Sequence, residues 1–335
     1  MSALYPLLIQ PQFHERVWGA RDLRPYFHRA VEGEPIGEAW MTGEECQVSN
    51  GSLAGRTLRE LAAEFGAELT GDAAPQPSRF PLLIKFLFPR QKLSVQVHPD
   101  DRRAQRIGEP CGKCECWYVV RALPTAQIGL GLRPGINCEM FRMAIESNQA
   151  EHMLNWLTIR AGEMYYVDAG TVHALGPDSI IVETQQNSDL TYRLYDYGRP
   201  RQLHLKEGME AIEERTGAGR VEPRRLNDGR ELLIASPRFV VEKLKLREPL
   251  TLVPESLRSS LQVLVPIEGG AVIECAGCQP VTVMQGEAAV IPAALSEVLL
   301  RPQWSVELLR MSLPAHSLPE PATTLYSGGA TMHQD

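Results

Sequence analysis

Short apolar runs, many of them alternating with polar residues, follow one another along most of the chain and are separated by Gly, Pro and Asp. This pattern predicts β-strands joined by turns. Strands of this length, repeated with turns between them, are typical of a β-sandwich or a β-barrel. The clearest runs cover residues 81–88, 92–98, 114–122, 163–170 and 179–186.

Three segments have the spacing of an amphipathic helix instead. Residues 57–69 place apolar side chains on one helical face, and Thr57 followed by Glu60 is a capping-box pattern. The apolar spacing in residues 137–155 predicts one or two helices, and that in residues 206–214 predicts one further helix. We expect these helices to cover the β-rich body rather than to carry functional residues.

A weak internal repeat divides the chain. Residues 162–175 and 286–299 both read Gly-Glu, strand, turn of small residues and strand, which predicts two β-rich domains. A polar segment between the copies is interpreted as a linker, and a C-terminal segment rich in Pro, Ser, Thr and Gly as a loose tail. The predicted division is a first domain over 1–216, the linker over 217–230, a second domain over 231–313 and the tail over 314–335.

Composition and charge narrow the classes of function. The chain has 335 residues, of which 44% are hydrophobic and 22% are charged, as in a soluble globular protein. Its formal net charge is −7, so nucleic acid and anionic membrane surfaces are not expected partners. An anionic substrate needs a local cluster of Lys and Arg that overcomes this overall charge.

The sequence also predicts a cytoplasmic location. The apolar run near the N-terminus is broken by Pro6 and Pro11 and follows no basic stretch, so it is not interpreted as a signal peptide. No run approaches the roughly 20 apolar residues of a membrane helix. The seven cysteines are an odd number and are interpreted as reduced thiols.

Four residues at or near strand ends could bind a metal ion. Gln96 and His98 are two apart and project from the same face of a predicted strand, Glu115 begins another strand, and His173 closes the turn 169–172. Two imidazoles, a carboxylate and an amide can hold a divalent metal that keeps a position open for water. The same spacing is also found in structural histidines.

The cysteines offer a rival metal site. Cys111 with Cys114 and Cys275 with Cys278 form two Cys-x2-Cys pairs, as in a zinc ribbon. The pairs lie far apart in the chain, and Cys114 alternates with Cys116 along a predicted strand. Small buried thiols explain this second pattern. The residues alone leave both alternatives open.

Three charged residues interrupt otherwise apolar or aromatic strands. Arg193 alternates with Tyr192 and Leu194, so it can reach into a barrel mouth and bind phosphate at two points, or it can lie on the surface. Lys85 lies in an apolar run, where a charge must be paired or line a polar cavity. Glu183 could act as an acid or base, although its own surroundings in the sequence favour a solvated carboxylate at a strand end.

Taken together, five segments resemble the type I phosphomannose isomerase (mannose-6-phosphate isomerase) family and follow the order of that family. A weaker likeness includes residues 17–19 and 36–40, and the whole resemblance extends from about residue 4 to residue 313. The chain length is similar to the short bacterial form of the family. The five segments are residues 80–87, 93–101, 112–118, 169–175 and 183–196.

The resemblance implies a fold and a cofactor. The fold is mainly β, with two cupin (jelly-roll) β-barrels and a small helical covering layer. The first barrel, with helical insertions, is the catalytic domain, and the second is expected to lack a metal site because residues 231–313 contain no His. One Zn2+ per chain is implied. Its ligands correspond to Gln96, His98, Glu115 and His173.

The resemblance also implies a substrate and an activity. The substrate is a hexose 6-phosphate, and the activity is the aldose–ketose isomerisation of mannose 6-phosphate and fructose 6-phosphate through an enediol-type intermediate. The base that transfers the proton is left open between Glu183, Lys113 and a water on the zinc ion. Residues matching the substrate site are Lys85, Ser94, Lys113, Glu183 and Arg193, of which Lys113, Glu183 and Arg193 are the expected catalytic residues.

Two other classes of protein share this pattern in part. One is a cupin isomerase or epimerase that acts on another sugar phosphate, and the other is a non-catalytic sugar-binding bicupin. The second class is expected to lack the cluster formed by Lys85, Lys113 and Arg193. The chain departs from the family pattern at Cys114, Cys116, Asp168 and Tyr197, none of which is a predicted ligand. The oligomeric state is left open.

Overall fold

Antiparallel strands are the main regular elements of the structure, a computed structural model that describes residues 4–29, 31–226, 229–252 and 260–314. The strands are β1 (Leu7–Ile9), β2 (Gln12–Ala20), β3 (Ile36–Thr42), β4 (Leu82–Leu87), β5 (Val95–Val97), β6 (Glu115–Ala122), β7 (Gln127–Leu132), β8 (Leu154–Thr158), β9 (Met164–Val167), β10 (His173–Leu175), β11 (Ser179–Gln186), β12 (Tyr192–Tyr195), β13 (Gly219–Val221), β14 (Arg224–Arg225), β15 (Arg230–Ala235), β16 (Val240–Leu246), β17 (Leu250–Leu252), β18 (Gln262–Cys275), β19 (Val281–Met284), β20 (Ala288–Ile291) and β21 (Val298–Ser312). The α-helices are α1 (Leu58–Phe65), α2 (Ala67–Thr70), α3 (Asp101–Arg106), α4 (Cys138–Glu146) and α5 (Leu205–Ala211).

The strands form three sheets. Sheet I has the order β13-β9-β6-β11-β4-β3-β2, sheet II the order β12-β5-β10-β7-β8, and sheet III the order β1-β20-β18-β21-β16-β15-β14, with β17 beside β21 and β19 beside β18. A mainly β fold is therefore confirmed. Within the described residues the three sheets are open rather than closed into barrels.

Sheets I and II face each other across one apolar core. That core contains Trp117 and Ile181 from sheet I together with Ile128, Leu130 and Leu175 from sheet II. Because residues two apart on a strand point to the same face, Glu115 and Glu183, which are two residues from Trp117 and Ile181, are also directed into the space between the two sheets. Any site built from both sheets therefore lies in this space.

The two halves of the chain are tied together by their strands. β1 pairs with β20 of the C-terminal half, with Leu7 opposite Val290. The described part of the segment predicted as linker contains two short strands, since β13 pairs with β9 in sheet I and β14 pairs with β15 in sheet III. A second core joins sheet I to sheet III, since Phe86 and Leu309 both belong to it.

Local capping chemistry explains where the helices begin. The side chain of Thr57 accepts a hydrogen bond from the Glu60 amide, and the Glu60 carboxylate accepts one from the Thr57 amide, which confirms the predicted capping box. Asn137 is the N-cap residue of α4, and its side chain accepts a hydrogen bond from the Met140 amide. The last part of the segment predicted as helix over 137–155 is instead strand β8.

The predicted helix over 206–214 is present as α5, which ends at Ala211, three residues earlier than predicted. Helix α3 was not predicted; Asp100 caps it by accepting from the amide of Arg103. The two copies of the repeat share a strand-turn-strand structure, β9 to β10 and β20 to β21. In the second copy Glu297 is exposed where the first copy has the buried His173. Residues 315–335 of the predicted tail lie outside the described residues.

No helix within the described residues has the length and the apolar character that a membrane span requires.

Candidate active site

Three predicted site residues lie side by side on sheet II. His173 of β10 is directly opposite Gln96 of β5, and Gln96 is directly opposite Arg193 of β12. Directly opposed residues of antiparallel strands carry their side chains on the same face of the sheet. Strand pairing alone thus brings together residues that are far apart in the sequence.

A second row lies on sheet I. Glu183 of β11 is opposite Trp117 of β6 on one side and Lys85 of β4 on the other. Lys85 is in turn opposite Trp40 of β3. Glu115 precedes Trp117 by two residues and therefore shares its face. This row is directed at the row on sheet II.

His98, Glu115 and His173 meet between the two rows. Their ligand atoms all lie within 4.8 Å of one another. Nε2 of His98 is 3.5 Å from Oε2 of Glu115, and Nε2 of His173 is 3.4 Å from Oε1. All three side chains are buried. Within the described ranges, no other group of His, Cys, Asp and Glu is arranged in this way to hold a metal ion.

The backbone orients both imidazoles. Nδ1 of His98 lies 2.9 Å from the carbonyl oxygen of Leu190, and Nδ1 of His173 lies 2.9 Å from that of Thr171. Since a carbonyl oxygen only accepts, each Nδ1 carries the hydrogen and each Nε2 keeps a lone pair facing Glu115. Burial lowers the pKa of His98 well below its usual value and that of His173 to about 4. Both rings are therefore in the neutral, ligand-forming state.

Glu115 completes the arrangement. Its Oε1 is buried and has no hydrogen-bond partner among the described residues, whereas its Oε2 accepts a hydrogen bond from Lys113. The amide nitrogen of Gln96 lies 3.1 Å from Nε2 of His173, and its oxygen accepts from Ser94 at 3.3 Å. An unpartnered carboxylate oxygen beside two imidazole lone pairs fits a divalent cation.

The cysteine pairs do not form a rival site in the described part of the chain. Neither pair belongs to a group that could hold a metal ion. Cys114 and Cys116 are buried, as the small-thiol interpretation predicts, and Cys275 and Cys278 are partly buried in the C-terminal half. The four-thiolate alternative is therefore wrong for these residues.

A cavity of about 460 Å³ opens beside the metal group. This volume falls within the ordinary range for small-molecule sites. Its lining includes the predicted ligand Gln96 and all five residues predicted for the substrate site, but not His98, Glu115 or His173. The five are Lys85, Ser94, Lys113, Glu183 and Arg193.

Lys85 is held in the wall of this cavity by three carboxylates. Its Nζ lies 3.1 Å from Asp189, 3.5 Å from Glu183 and 3.6 Å from Glu38. Burial opposes the charged form, but these carboxylates outweigh it and raise the pKa of Lys85. The lysine in an apolar run is thus explained by pairing, one of the two alternatives that its position allows.

Glu183 is buried, so its interpretation as a solvated carboxylate is wrong. Its Oε2 accepts a hydrogen bond of 3.1 Å from Nε1 of Trp117, and its Oε1 lies 3.9 Å from Nζ of Lys113. Burial, together with the nearby charge of Glu115, raises the pKa of Glu183. A carboxyl group in such surroundings is a candidate acid or base.

Arg193 has the orientation that strand alternation predicts. Tyr192 and Leu194 pack in a core on one side of β12, and Arg193 lines the cavity on the other. Its Nη1 donates to the carbonyl oxygen of Gln202 at 2.8 Å. Its Nε is buried and has no hydrogen-bond partner among the described residues.

Several cavity residues were missed by sequence reasoning. Glu38 binds Lys85, accepts from Nε1 of Trp40 at 2.7 Å and pairs with Arg16 at 2.8 Å. The sequence signals for Glu38 and Trp40 are their alternation along one strand and the weak likeness of residues 36–40 to the family. Asp189 follows the end of β11, and nothing in its local pattern indicates a lysine partner.

Comparison with known proteins identifies the family. Residues 7–113 match the model described as phosphomannose isomerase type I, catalytic domain. The chain is 37% identical over 250 residues to the mannose-6-phosphate isomerase of Streptococcus mutans serotype c, an alignment that covers 71% of this chain and 78% of the relative. The chain belongs to the type I phosphomannose isomerase family. The mannose-6-phosphate isomerase ManA of Bacillus subtilis strain 168 is 40% identical over 224 residues, or 62% of this chain and 68% of that relative.

Solved phosphomannose isomerase structures have the same fold. The crystal structure of the mannose 6-phosphate isomerase from Bacillus subtilis matches with a TM-score of 0.82 and 29% identity, over 92% of this chain and 99% of that one. A zinc-bound mannose 6-phosphate isomerase matches with a TM-score of 0.74 and 17% identity, over 91% and 98% of the two chains. The resemblance to the type I family is therefore confirmed.

Proposed function

We propose that the protein is a zinc-dependent isomerase that interconverts mannose 6-phosphate and fructose 6-phosphate. Two relatives that are mannose-6-phosphate isomerases support this activity. The proposal rests on one observation. His98, Glu115 and His173 lie close together beside a cavity that is lined by Lys85 and Arg193. Buried metal ligands next to basic side chains suit a phosphorylated sugar.

Gln96, His98, Glu115 and His173 are the residues that would hold zinc. A zinc ion bound there supplies Lewis-acid polarisation of the sugar oxygens. We infer one zinc ion per chain, because residues 231–313 contain no histidine. A solved mannose 6-phosphate isomerase with this fold contains bound zinc, which supports the choice of metal.

The same proposal extends to the domains. Two cupin-type units, a catalytic one over residues 1–216 and a second over 231–313, with the linker 217–230 between them, remain our interpretation of the fold. Support comes from the repeated strand-turn-strand pattern of β9–β10 and β20–β21. A cytoplasmic location and the lack of a nucleic-acid or membrane partner rest on the sequence and stay predictions.

The proton moved in isomerisation passes between C1 and C2 of the sugar, through an enediol-type intermediate. Of the two side chains considered as base, we favour Glu183. Lys113 already donates to Glu115 and lies 3.1 Å from Nε2 of His98, so its proton is engaged. Glu183 faces the cavity with a raised pKa, and a raised pKa makes its carboxylate a stronger base.

Replacement of Arg193 by lysine is expected to lower kcat/KM for mannose 6-phosphate about 10- to 100-fold, because lysine keeps the charge but loses the planar fork that binds an anion at two points. Zinc content is expected to stay at the wild-type level, since Arg193 is not a ligand. Steady-state kinetics and elemental analysis of Arg193→Lys check both parts. Unchanged kinetics in a folded variant would show that Arg193 has no role with the substrate.

A substrate panel tests the proposed activity itself. Purified protein supplied with zinc is assayed with mannose 6-phosphate, glucose 6-phosphate, ribose 5-phosphate and unphosphorylated mannose. We expect mannose 6-phosphate to give the highest kcat/KM by a wide margin. Preference for another sugar phosphate would identify a different isomerase or epimerase, and sugar binding without turnover would identify a non-catalytic bicupin.

A further inference from the structure

Residues 111–114 lie between α3 and β6 and bring Lys113 into the site without belonging to a helix or a strand. Lys113 is buried; its Nζ donates to Glu115 and lies 3.1 Å from Nε2 of His98. A buried segment without regular structure needs other partners for its backbone N–H groups. The partners of this segment therefore decide where Lys113 and the adjoining Glu115 lie.

One carboxylate, that of Asp101, holds the segment in two ways. Its Oδ1 accepts a hydrogen bond of 2.8 Å from the N–H of Gly112. The same oxygen accepts one of 2.9 Å from the side-chain amide of Gln186. Oε1 of Gln186 in turn accepts from the N–H of Cys114 at 3.0 Å. Asp101 thus fixes the backbone on both sides of Lys113, directly on one side and through Gln186 on the other.

The segment also packs closely against the chain just before Asp101. The N–H of Lys113 donates to the carbonyl oxygen of Pro99 at 3.1 Å. A Cβ atom at Gly112 would lie 2.5 Å from that same oxygen, so only glycine permits this approach. Because the backbones are in contact here, loss of the Asp101 side chain is expected to shift the segment itself.

The other oxygen of Asp101 is bound from the C-terminal half of the chain. Nη2 of Arg238 donates to Oδ2 of Asp101 at 2.6 Å. Arg238 lies in the turn between β15 and β16, where the hydroxyl of Ser236 accepts from the amides of Arg238 and Phe239 at 3.2 and 3.1 Å. Since an ionised carboxylate only accepts, Asp101 can hold all of these donors at once. Sheet III is in this way connected to the segment that carries Lys113.

We propose that Asp101 is a positioning residue for Lys113 and Glu115, and that Arg238 makes the C-terminal half of the chain contribute to this positioning. Asp101 belongs neither to the metal group nor to the cavity lining. It acts through the backbone of the segment, as hydrogen-bonded neighbours of metal ligands do. The inference rests on the proposed function for its effect on turnover, whereas its effect on zinc binding is independent of which sugar is the substrate.

The experiment compares Asp101→Ala, Asp101→Asn and Arg238→Gln with wild type. Zinc affinity is measured by competition with a chromophoric chelator, and the absorption spectrum of the cobalt-substituted protein reports the geometry of the ligands. Asp101→Ala is expected to weaken zinc binding about 10- to 100-fold and to alter the cobalt spectrum. Its kcat for mannose 6-phosphate is expected to fall about 10- to 100-fold with KM within about threefold of wild type, because the cavity residues that bind the sugar are kept.

Asp101→Asn separates the two roles of the carboxylate. Asparagine keeps an oxygen that can accept from Gly112 but loses the ion pair with Arg238. Its effect on zinc affinity is therefore expected to be only about two- to fivefold and to match that of Arg238→Gln, because solvent weakens an ion pair with a 40% exposed arginine. In the double variant Asp101→Ala/Arg238→Gln, zinc affinity is expected to equal that of Asp101→Ala, since Arg238 acts through Asp101.

Arg103→Gln is the matched control. Arg103 lies on the same helix and forms ion pairs with Asp100 at 2.9 Å and Glu213 at 2.7 Å, away from the segment 111–114. Its replacement is expected to leave zinc affinity, the cobalt spectrum and kcat near wild type. Losses as large as those of Asp101→Ala would show a general effect of charge removal on this helix and would overturn the proposal.

Unchanged zinc affinity and cobalt spectrum in folded Asp101→Ala would overturn it too, as would an effect of Arg238→Gln that adds in full to that of Asp101→Ala. If Asp101→Ala failed to fold, wild-type zinc affinity in both Asp101→Asn and Arg238→Gln would have the same consequence. If wild type bound zinc but did not isomerise mannose 6-phosphate, while Asp101→Ala still lost zinc affinity, the positioning role would stand and the proposed function would fall.

Discussion

Replacement of His98 or His173 by alanine is expected to remove the zinc ion and to lower kcat by about 10³-fold or more. Each histidine places a neutral Nε2 beside Glu115, so loss of either leaves one imidazole, one carboxylate and the neutral amide of Gln96, a weak donor set for zinc. The loss of several kcal/mol of Lewis-acid stabilisation corresponds to a rate loss of this size. Elemental analysis of dialysed protein and a coupled assay measure the two effects, and circular dichroism checks that the β-rich fold is kept.

His152→Ala is the matched control for these variants. His152 is exposed and does not belong to the group that could hold a metal ion, so its replacement is expected to leave zinc content and turnover unchanged. Wild type is expected to retain one zinc ion per chain. Two zinc ions per chain, one of which survives in His98→Ala, would place a second metal site elsewhere and would contradict the single-site proposal.

Replacement of Glu183 by glutamine is expected to lower kcat by about 10²- to 10⁴-fold, which is the usual contribution of a general base. Glutamine keeps the shape of the side chain and removes its ability to accept the sugar proton. The fold is expected to persist, because Lys85 keeps Asp189 and Glu38 as partners. Zinc content is expected to match wild type, because Glu183 is not a proposed ligand.

Lys113→Met separates the two candidate bases. Glu183→Gln and Lys113→Met are both assayed for turnover of mannose 6-phosphate and for exchange of the C2 proton with deuterated solvent. If Glu183 is the base, exchange is lost in Glu183→Gln and persists, at a reduced rate, in Lys113→Met. Normal exchange in Glu183→Gln together with its loss in Lys113→Met would assign the proton transfer to Lys113.

The sequence could point to Gln96, His98, Glu115 and His173 because their signals are local, and the resemblance to the family then implied that they are zinc ligands. Alternation along a strand places Gln96 and His98 on one face, and the turn before His173 is marked by small residues. The structure then shows what spacing could not: the Nδ1 contacts of both imidazoles with backbone carbonyls. These contacts, which favour a metal site over a purely structural role for the histidines, are seen only in the three-dimensional structure.

Burial of Glu183 was not accessible in the same way. Its partners Trp117 and Lys85 come from strands β6 and β4, and only the register of sheet I places them on either side of it. The pairing of β1 with β20 is equally non-local. Helix α3 was missed because its six residues are too few to show the repeat of apolar positions that marks a helix.

Removal and return of zinc tests the central claim most directly. The protein is assayed with mannose 6-phosphate as purified, after treatment with a chelator and dialysis, and after stoichiometric zinc is added back, with zinc content measured at each stage. The proposal predicts fructose 6-phosphate formation in the first state, its loss together with one zinc ion per chain in the second, and its recovery in the third. Full turnover in protein shown to be free of metal, or no turnover in zinc-loaded protein, would contradict it.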